Sequence, residues 1–394
     1  MSFNSNKTKP VIIGIIGGTE LLGAERGLIE ALRALKESGA KIIVGVSNRS
    51  ANDNPVEKMC LQLGFKTFQL PFGSHFSKKW MLNAPKYRKR QIKRILSCSQ
   101  ILLQNLKIHS PDSIILGSTL AFNFVAPGLL INRTPLIFRV GDAPITKSKY
   151  QMFIWKILAH RAHHLVCISQ YIHNSIQPHI RKTKNTTIIK NIPPKRLSTI
   201  DRRKIAQLKM SKRPSQGVYV GQISDQKGVP DLVEALIQLN DPTVSCWIIG
   251  ASKFTQKYEI ELTEKIKLAQ TETEILLLGY INDPRPHLNA ADWHIAPSKI
   301  TEALGNVVIE AKEQGTPSVV SPIGGLPENV TPHKTGWIMN GTGTHAITET
   351  LLQVKREISS IKEQDLNEEA KNNSFLHYQK QWFETVMRVS KLPL

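Results

Sequence analysis

The chain has 394 residues, enough for two domains of ordinary size, and a hydrophobic content of 41%, normal for a globular protein. Its formal net charge of +21 is concentrated: residues 1–190 hold 28 Lys and Arg against 8 Asp and Glu, whereas residues 191–394 hold 24 against 23. No apolar run approaches the ~20 residues of a membrane span, and the four cysteines lack paired or metal-ligand spacing, which argues for reduced thiols in a cytoplasmic protein and against a disulfide framework or a metal cluster.

The first apolar run, residues 11–16, is short and broken by Gly14, which marks a strand rather than a leader. Gly17-Gly18-Thr19 follows. Helical periodicity then covers 23–37, with Leu28, Leu32 and Leu35 on one face, and a second strand covers 41–46. Strand, glycine loop, helix, strand is the opening of a doubly wound parallel sheet. The loop holding Gly18 lies at the strand end where such sheets bind ligands. Further strands are expected over 65–70, 113–116, 135–140, 165–168 and 187–190, with a helix over 121–131. Asp142, just after the strand in FRVGDAP, is the polar candidate of this half.

Residues 76–96, FSKKWMLNAPKYRKRQIKRIL, carry eight Lys or Arg interleaved with Trp80, Met81, Tyr87, Ile92, Ile95 and Leu96. Pro85 suits the first turn of a helix running to Leu96. Such a basic amphipathic segment suits the headgroups of an anionic membrane. It equally suits the phosphates of a lipid-linked or lipopolysaccharide acceptor, or a solvated helix packed by its apolar stripe. Nucleic acid is the weaker reading, because no recognisable binding module surrounds the segment.

Residues 191–214 contain Pro193-Pro194, a run of cations and no clear strand, and read as a linker, with a short helix within it left open. A second sheet begins with a strand over 218–221. The loop 222–228 starts at Gln222 and ends at Lys227-Gly228, and a helix covers 231–239. Strands over 245–249 and 275–278 flank a helix over 256–270, and the later strand ends at Gly279-Tyr280-Ile281. A short helix over 286–291 and a strand over 293–296 lead into PSKITEALGNVVIEAKEQGTPSVVSPIGGLPE, residues 297–328. Within it a loop opens a helix near Val307 that closes at Gly315. A helix start leaves backbone N–H groups that attract phosphate. Glu302, just before that start, can accept hydrogen bonds from hydroxyls lodged near the phosphate. Glu310, a turn further on, can reach a ribose diol. A strand over 336–338, a helix over 344–358 and an amphipathic helix over 375–389 complete the chain.

Two glutamates at this spacing occur by chance about once in a chain this long. Their context is far more specific. Pro297-Ser298, Glu302, Gly305, Glu310, Gly315-Thr316-Pro317 and Gly324-Gly325-Leu326-Pro327-Glu328 stand in the order seen in the C-terminal domain of the retaining family 4 glycosyltransferases (glycosyl transferases group 1). The sequence resembles that family strongly over 215–340 and more weakly over 11–45. The resemblance implies the GT-B fold: α/β, two Rossmann-like domains facing a cleft. It implies an N-terminal acceptor-binding domain (1–190), the linker (191–214), a C-terminal nucleotide-sugar-binding domain (215–374) and a last helix (375–394) crossing back to the first domain.

Carried onto this sequence, the family's roles put Lys227 and the N–H groups of Asn306 and Val307 on the diphosphate, and Glu310 on the ribose. Glu302 falls on the sugar hydroxyls, Tyr280 and Ile281 beside the base, and Gly18 and Gly305 in the glycine loops that line the nucleotide sugar. Gln222 stands where the family carries an arginine. An amide can donate a hydrogen bond but cannot neutralise phosphate, so the load shifts to Lys227 and the helix start. The family often places a histidine near the transferred sugar; here Asp142 is the nearest polar residue, which makes Glu302, Lys227 and Asp142 the catalytic candidates.

The expected activity is therefore transfer of a sugar, with retention of configuration, from a UDP- or GDP-linked donor to a hydroxyl of an anionic cell-envelope glycan or lipid-linked saccharide. The donor is a co-substrate; no other cofactor and no metal is expected. The expected location is cytoplasmic, at the inner face of the membrane. Two alternatives stay open. Another GT-B enzyme, such as a nucleotide-sugar epimerase, would leave the basic first half without a role. A non-enzymatic anion- or nucleic-acid-binding protein would leave the ordered glutamate and glycine pattern without one.

Overall fold

The computed structural model describes residues 9–48, 54–73, 84–193, 199–252, 257–372 and 374–392. The chain divides into two compact units, residues 1–194 with 375–394, and residues 195–374.

The first unit holds seven parallel strands: β1 (Val11–Ile15), β2 (Lys41–Ser47), β3 (Lys66–Leu70), β4 (Ser113–Leu116), β5 (Leu136–Val140), β6 (His164–Cys167) and β7 (Thr186–Ile188). Their spatial order is β3-β2-β1-β4-β5-β6-β7. Every residue of β4 and β5 is buried, as a parallel sheet covered on both faces requires. The helix α1 (Gly23–Glu37) buries Leu28, Leu32 and Leu35 on one face, the 3.6-residue period made physical. Beyond α1 come α2 (Pro55–Gln62), α3 (Pro85–His109), α4 (Thr119–Ile131), α5 (Lys149–Arg161) and α6 (Gln170–Ile176). The last helix of the chain, residues Phe375–Ser390, also belongs to this unit. Its Tyr378, Trp382 and Val386 join the α1 face in one core, and the Arg33 guanidinium lies 4.0 Å over the Phe375 ring.

The second unit has six parallel strands: β8 (Ser215–Val220), β9 (Val244–Ile249), β10 (Glu274–Gly279), β11 (Trp293–Ala296), β12 (Ser318–Val320) and β13 (Gly336–Ile338). Their order is β10-β9-β8-β11-β12-β13. Its helices are α7 (Arg202–Ser211), α8 (Val229–Leu239), α9 (Lys257–Leu268), α10 (Arg285–Ala290), α11 (Asn306–Glu313), α12 (Thr344–Glu357) and α13 (Glu363–Asn372), which makes the last helix of the chain α14. In each sheet the chain runs outward in one direction and then resumes on the other side of the first strand. The reversal lies between β1 and β4 in one unit and between β8 and β11 in the other. Crevices at such switch points, beyond the carboxyl ends of the strands, are where open α/β sheets bind ligands.

Several helices go beyond the periodicity reading. The helix expected to end at Leu96 continues to His109, packs on α4 and buries Cys98, Leu102 and Leu106. Residues 74–83, the first part of the basic segment, lie outside the described residues. Helix α5 spaces Trp155, Leu158 and Ala159 inward among cations, so its pattern is blurred. Helix α2 is two turns long and is marked by its cap, Asn54, which accepts from the Val56 and Glu57 N–H groups. Helix α13 reads as polar on all sides, yet Leu366 is buried and its Glu369 pairs with Lys312. In the stretch read as linker, residues 202–211 form α7, which packs on α10 inside the second unit. All four cysteines are buried free thiols. Among the described residues no helix is long and apolar enough to cross a membrane.

Candidate active site

The second unit's switch point is built from two loops, one after β8 and one after β11. Neither could take this course without glycine. Gly228 sits at φ +73°, and a Cβ there would collide with the Pro297 carbonyl oxygen. It therefore lets the end of the first loop lie directly against the start of the second. Lys299 ties the same two loops by its side chain, at 2.6 Å from Asp225 and 2.8 Å from Asp231, and its backbone N–H donates to the Gln226 carbonyl at 2.9 Å.

This clamp brings Lys227 to Glu302 across 75 positions of sequence: Lys227 Nζ lies 2.9 Å from Glu302 Oε1. Both side chains are partly open, 29% and 20% exposed. The Glu302 backbone is held from the other side by the glycine turn. The Gly325 N–H donates to the Glu302 carbonyl at 2.8 Å, and a Cβ on Gly324 (φ +64°) would strike the Glu302 backbone. Asn329 Nδ2 donates to the Leu304 carbonyl, closing the loop. Tyr219 Oη donates to the Gln222 carbonyl at 2.8 Å; burial raises this phenol, and the Glu302 charge adds to the effect. It holds the β8 loop by its backbone, while the Gln222 side chain itself is exposed.

Two helices start at this crevice, α8 after Gly228 and α11 after Gly305. Both entry glycines are left-handed, and neither helix has a side-chain cap. Elsewhere Asn54, Ser118, Ser148, Ser169 and Asp201 do cap their helices. A helix start without a side-chain cap can face an anion, and the macrodipole favours negative charge there. Asn306 and Val307 supply the first N–H groups of α11. Glu310 follows Asn306 by four residues, so it shares that face of the helix one turn on.

The structure thus gathers Lys227, Glu302, Gly305, Asn306 and Val307 at one point, with Glu310 a turn away. Tyr280 and Ile281 follow β10, two strands outward from β8, or about 10 Å at ordinary strand spacing. Tyr280 is 71% exposed, whereas Ile281 packs on the cluster of Val218, Trp247 and Ile249. Gly18 and Asp142 belong to the other unit. A Cβ on Gly18 would strike the Glu25 carboxylate, and Asp142 is exposed just beyond β5.

Three features were missed from sequence. Lys299, in the Pro-Ser-Lys run, was visible as a cation inside the motif. Arg285, hydrogen-bonded at 2.8 and 2.6 Å to Asp283, is held above its ordinary range first by those bonds, with the Glu310 charge contributing. Arg139, buried on β5, donates to Asn191 Oδ1 at 2.6 Å and fills the space left by Gly27. Burial pushes its guanidinium down, and burial raises Glu25 nearby despite the Arg139 charge. An arginine inside an apolar strand was the available signal.

Residues 201–373 match the family described as glycosyl transferases group 1. The match lies within the second unit. Among curated relatives, granule-bound starch synthase 1 of Pisum sativum is 30% identical over 121 residues, covering 30% of this chain and 19% of that protein. The chain therefore spans about a fifth of that relative's length. An uncharacterized 41.2 kDa protein in the cps region of Klebsiella pneumoniae is 23% identical over 278 residues, covering 66% of this chain and 74% of the relative. Among solved structures, Anabaena Alr3699/HepE in complex with UDP-glucose superposes with a TM-score of 0.76 at 19% identity, covering 96% of this chain and 99% of that one. The two parallel sheets with their helices form the α/β, two-domain GT-B fold that this structure shares.

Proposed function

We propose that the protein transfers a sugar from a nucleotide-sugar donor to an acceptor hydroxyl, with retention of anomeric configuration. The observation that carries this reading is the Lys227–Glu302 pair beside the uncapped start of α11, at the sheet's switch point. In the free protein the two charges satisfy each other. With donor bound, Lys227 turns to the diphosphate, and the N–H groups of Asn306 and Val307 receive the charge that grows as the phosphate departs. That is stabilisation placed where charge develops. Glu302, released from the lysine, accepts hydrogen bonds from the sugar hydroxyls and fixes the ring. Glu310 accepts from the ribose hydroxyls, and Tyr280 and Ile281 lie beside the base.

The bond between the anomeric carbon and the phosphate oxygen breaks, its electron pair leaving with the phosphate. The acceptor oxygen bonds to the same carbon from the same face. Its proton passes to the departing phosphate oxygen, and Asp142 orients the acceptor hydroxyl. The UDP-glucose in the Anabaena structure supports a UDP-linked donor, and the relative in a cps region supports a cell-envelope glycan as product. The basic helix α3, with Ile92 and Leu96 46% and 60% exposed among its cations, supports docking on an anionic membrane face from the cytoplasmic side.

The test is incubation with UDP- and GDP-sugars, with and without a lipid-linked saccharide, following nucleotide release and the anomer formed. Acceptor-dependent release and a retained anomer are expected. Conversion of the donor sugar without an acceptor would point to an epimerase, and binding without turnover would overturn the transferase reading.

A further inference from the structure

Helix α11 carries more than its start. Asn306 and Val307 open it and Glu310 stands a turn on. Two residues further, and so on the opposite side of the helix, comes Lys312, whose side chain is 5% exposed. A buried ammonium is tolerated only when it is paired. Among the described residues the carboxylate that meets it is Glu369, on α13.

Glu369 has two more partners. The Thr331 hydroxyl donates to its Oε1, and the Thr335 hydroxyl donates to its Oε2 at 3.3 Å. Thr335 Oγ1 in turn accepts from the Thr331 N–H at 2.9 Å. Both threonines follow the glycine turn whose Gly325 N–H holds the Glu302 carbonyl. One carboxylate thus fastens α11 and the segment that braces the Glu302 loop. Burial alone would raise this carboxyl, but the hydrogen bonds from Lys312 and Thr331, with the Lys312 charge, hold it below its ordinary range.

Helix α13 has ten residues, of which Leu366 is the buried apolar one. A helix of that length is marginal without tertiary contacts. Were α13 to come away, Lys312 would be left as a buried charge without its counter-charge. Helix α11 would then have to turn or slide to bring the ammonium to water. It is two turns long, about 12 Å, so a shift at Lys312 carries Asn306, Val307 and Glu310 with it.

Resting on the transferase reading above, we infer that Glu369 is a positioning residue: by holding Lys312 and the two threonines it seats α11, so that docking of α13 and binding of a nucleoside diphosphate at the start of α11 strengthen each other. The coupling is reciprocal, because each event favours the same placement of one helix.

The experiment measures hydrogen–deuterium exchange of the full chain with and without saturating UDP, and in parallel with GDP. The nucleotide that binds is expected to slow exchange in α11 and, by at least about threefold, in α13, while α9 keeps its rate. Glu369→Gln keeps a hydrogen-bonding side chain and removes the charge. It is expected to raise the calorimetric Kd for the nucleotide about tenfold and to abolish the protection of α13. Lys355→Met, which removes the ion pair with Asp241 elsewhere in the unit, is expected to leave the Kd unchanged. Protection of α11 without α13, or of α13 and α9 alike, would overturn the inference on the native chain, whatever the variant does. So would Glu369→Gln melting lower while binding nucleotide as the native chain does, since Glu369 would then be a structural tie alone. A native chain that binds neither UDP nor GDP would sink the donor reading itself and this coupling with it, an outcome distinct from binding without protection of α13.

Discussion

Replacing Lys227 with methionine keeps the side chain's length and removes its charge. In the free protein the lysine pairs with Glu302 at 2.9 Å, both groups being partly open to water. Pairs of that exposure contribute at most about 1 kcal/mol. For a unit of this size such a loss lowers the melting temperature by about 2–4 °C. The same cation, facing a departing phosphate, is worth far more: removing one group that meets developing charge costs about 10²–10³ in rate, or about 2.7–4 kcal/mol. Lys227→Met is therefore expected to melt within a few degrees of the native chain while nucleotide release falls at least a hundredfold. Lys227→Arg is expected to recover part of the rate, because charge is kept and fork geometry is not matched to the loop. Coupled-assay kinetics and a thermal melt on the same preparation give both numbers. A variant that melts lower but releases nucleotide at the native rate would show the lysine to be a loop clamp and refute the phosphate role.

Glu310→Ala is expected to weaken donor binding on the order of ten- to hundredfold, the loss of a charge-assisted hydrogen bond; unchanged calorimetric affinity would remove its ribose role. Gly324→Ala imposes a left-handed residue, about 1–2 kcal/mol, and a collision with the Glu302 backbone. Urea unfolding should show at least that cost, and donor affinity should fall although no donor-binding side chain was changed. His294 is wholly buried on β11, 3.0 Å from Ser318 Oγ, and burial pushes it down to about 3. It stays neutral in the fold while the unfolded chain protonates below about pH 6.5, so its contribution is complete above that pH and is lost as pH falls toward 3. Between pH 7 and 5 the loss is about 2 kcal/mol, and His294→Gln should show a correspondingly shallower pH slope in urea unfolding; an unchanged slope counts against it. Reversing the charge of the exposed Lys89, Arg90 and Lys93 on α3 is expected to reduce sedimentation with anionic vesicles, and equal sedimentation would discard the membrane surface.

Much of the strand pattern was legible because a doubly covered parallel strand is a short, nearly unbroken apolar run. Among the described residues, buried side-chain atoms such as Asn123 Oδ1 and Trp155 Nε1 have no hydrogen-bond partner. No sequence pattern announces an orphaned atom, because the absence of a partner is a fact about the neighbours. Helices α2, α5 and α13 were missed for a related reason. Each is short or owes its stability to one buried stripe, so propensity and periodicity alone leave it ambiguous.

By itself the amino-acid order determined the local things: alternation of strand and helix, glycines where φ must be positive, and the ordered motif around Glu302 and Glu310. Only the tertiary structure decided that Lys227 meets Glu302, since their pairing depends on β8 and β11 lying side by side at the reversal of strand order. It also decided that Arg139, inside an apolar strand, meets Asn191 across 52 positions of sequence. The physical reason is the range of the forces involved. Backbone conformation and periodicity act over a few residues, whereas a site is an intersection of loops whose positions are set by how whole strands are ordered and packed.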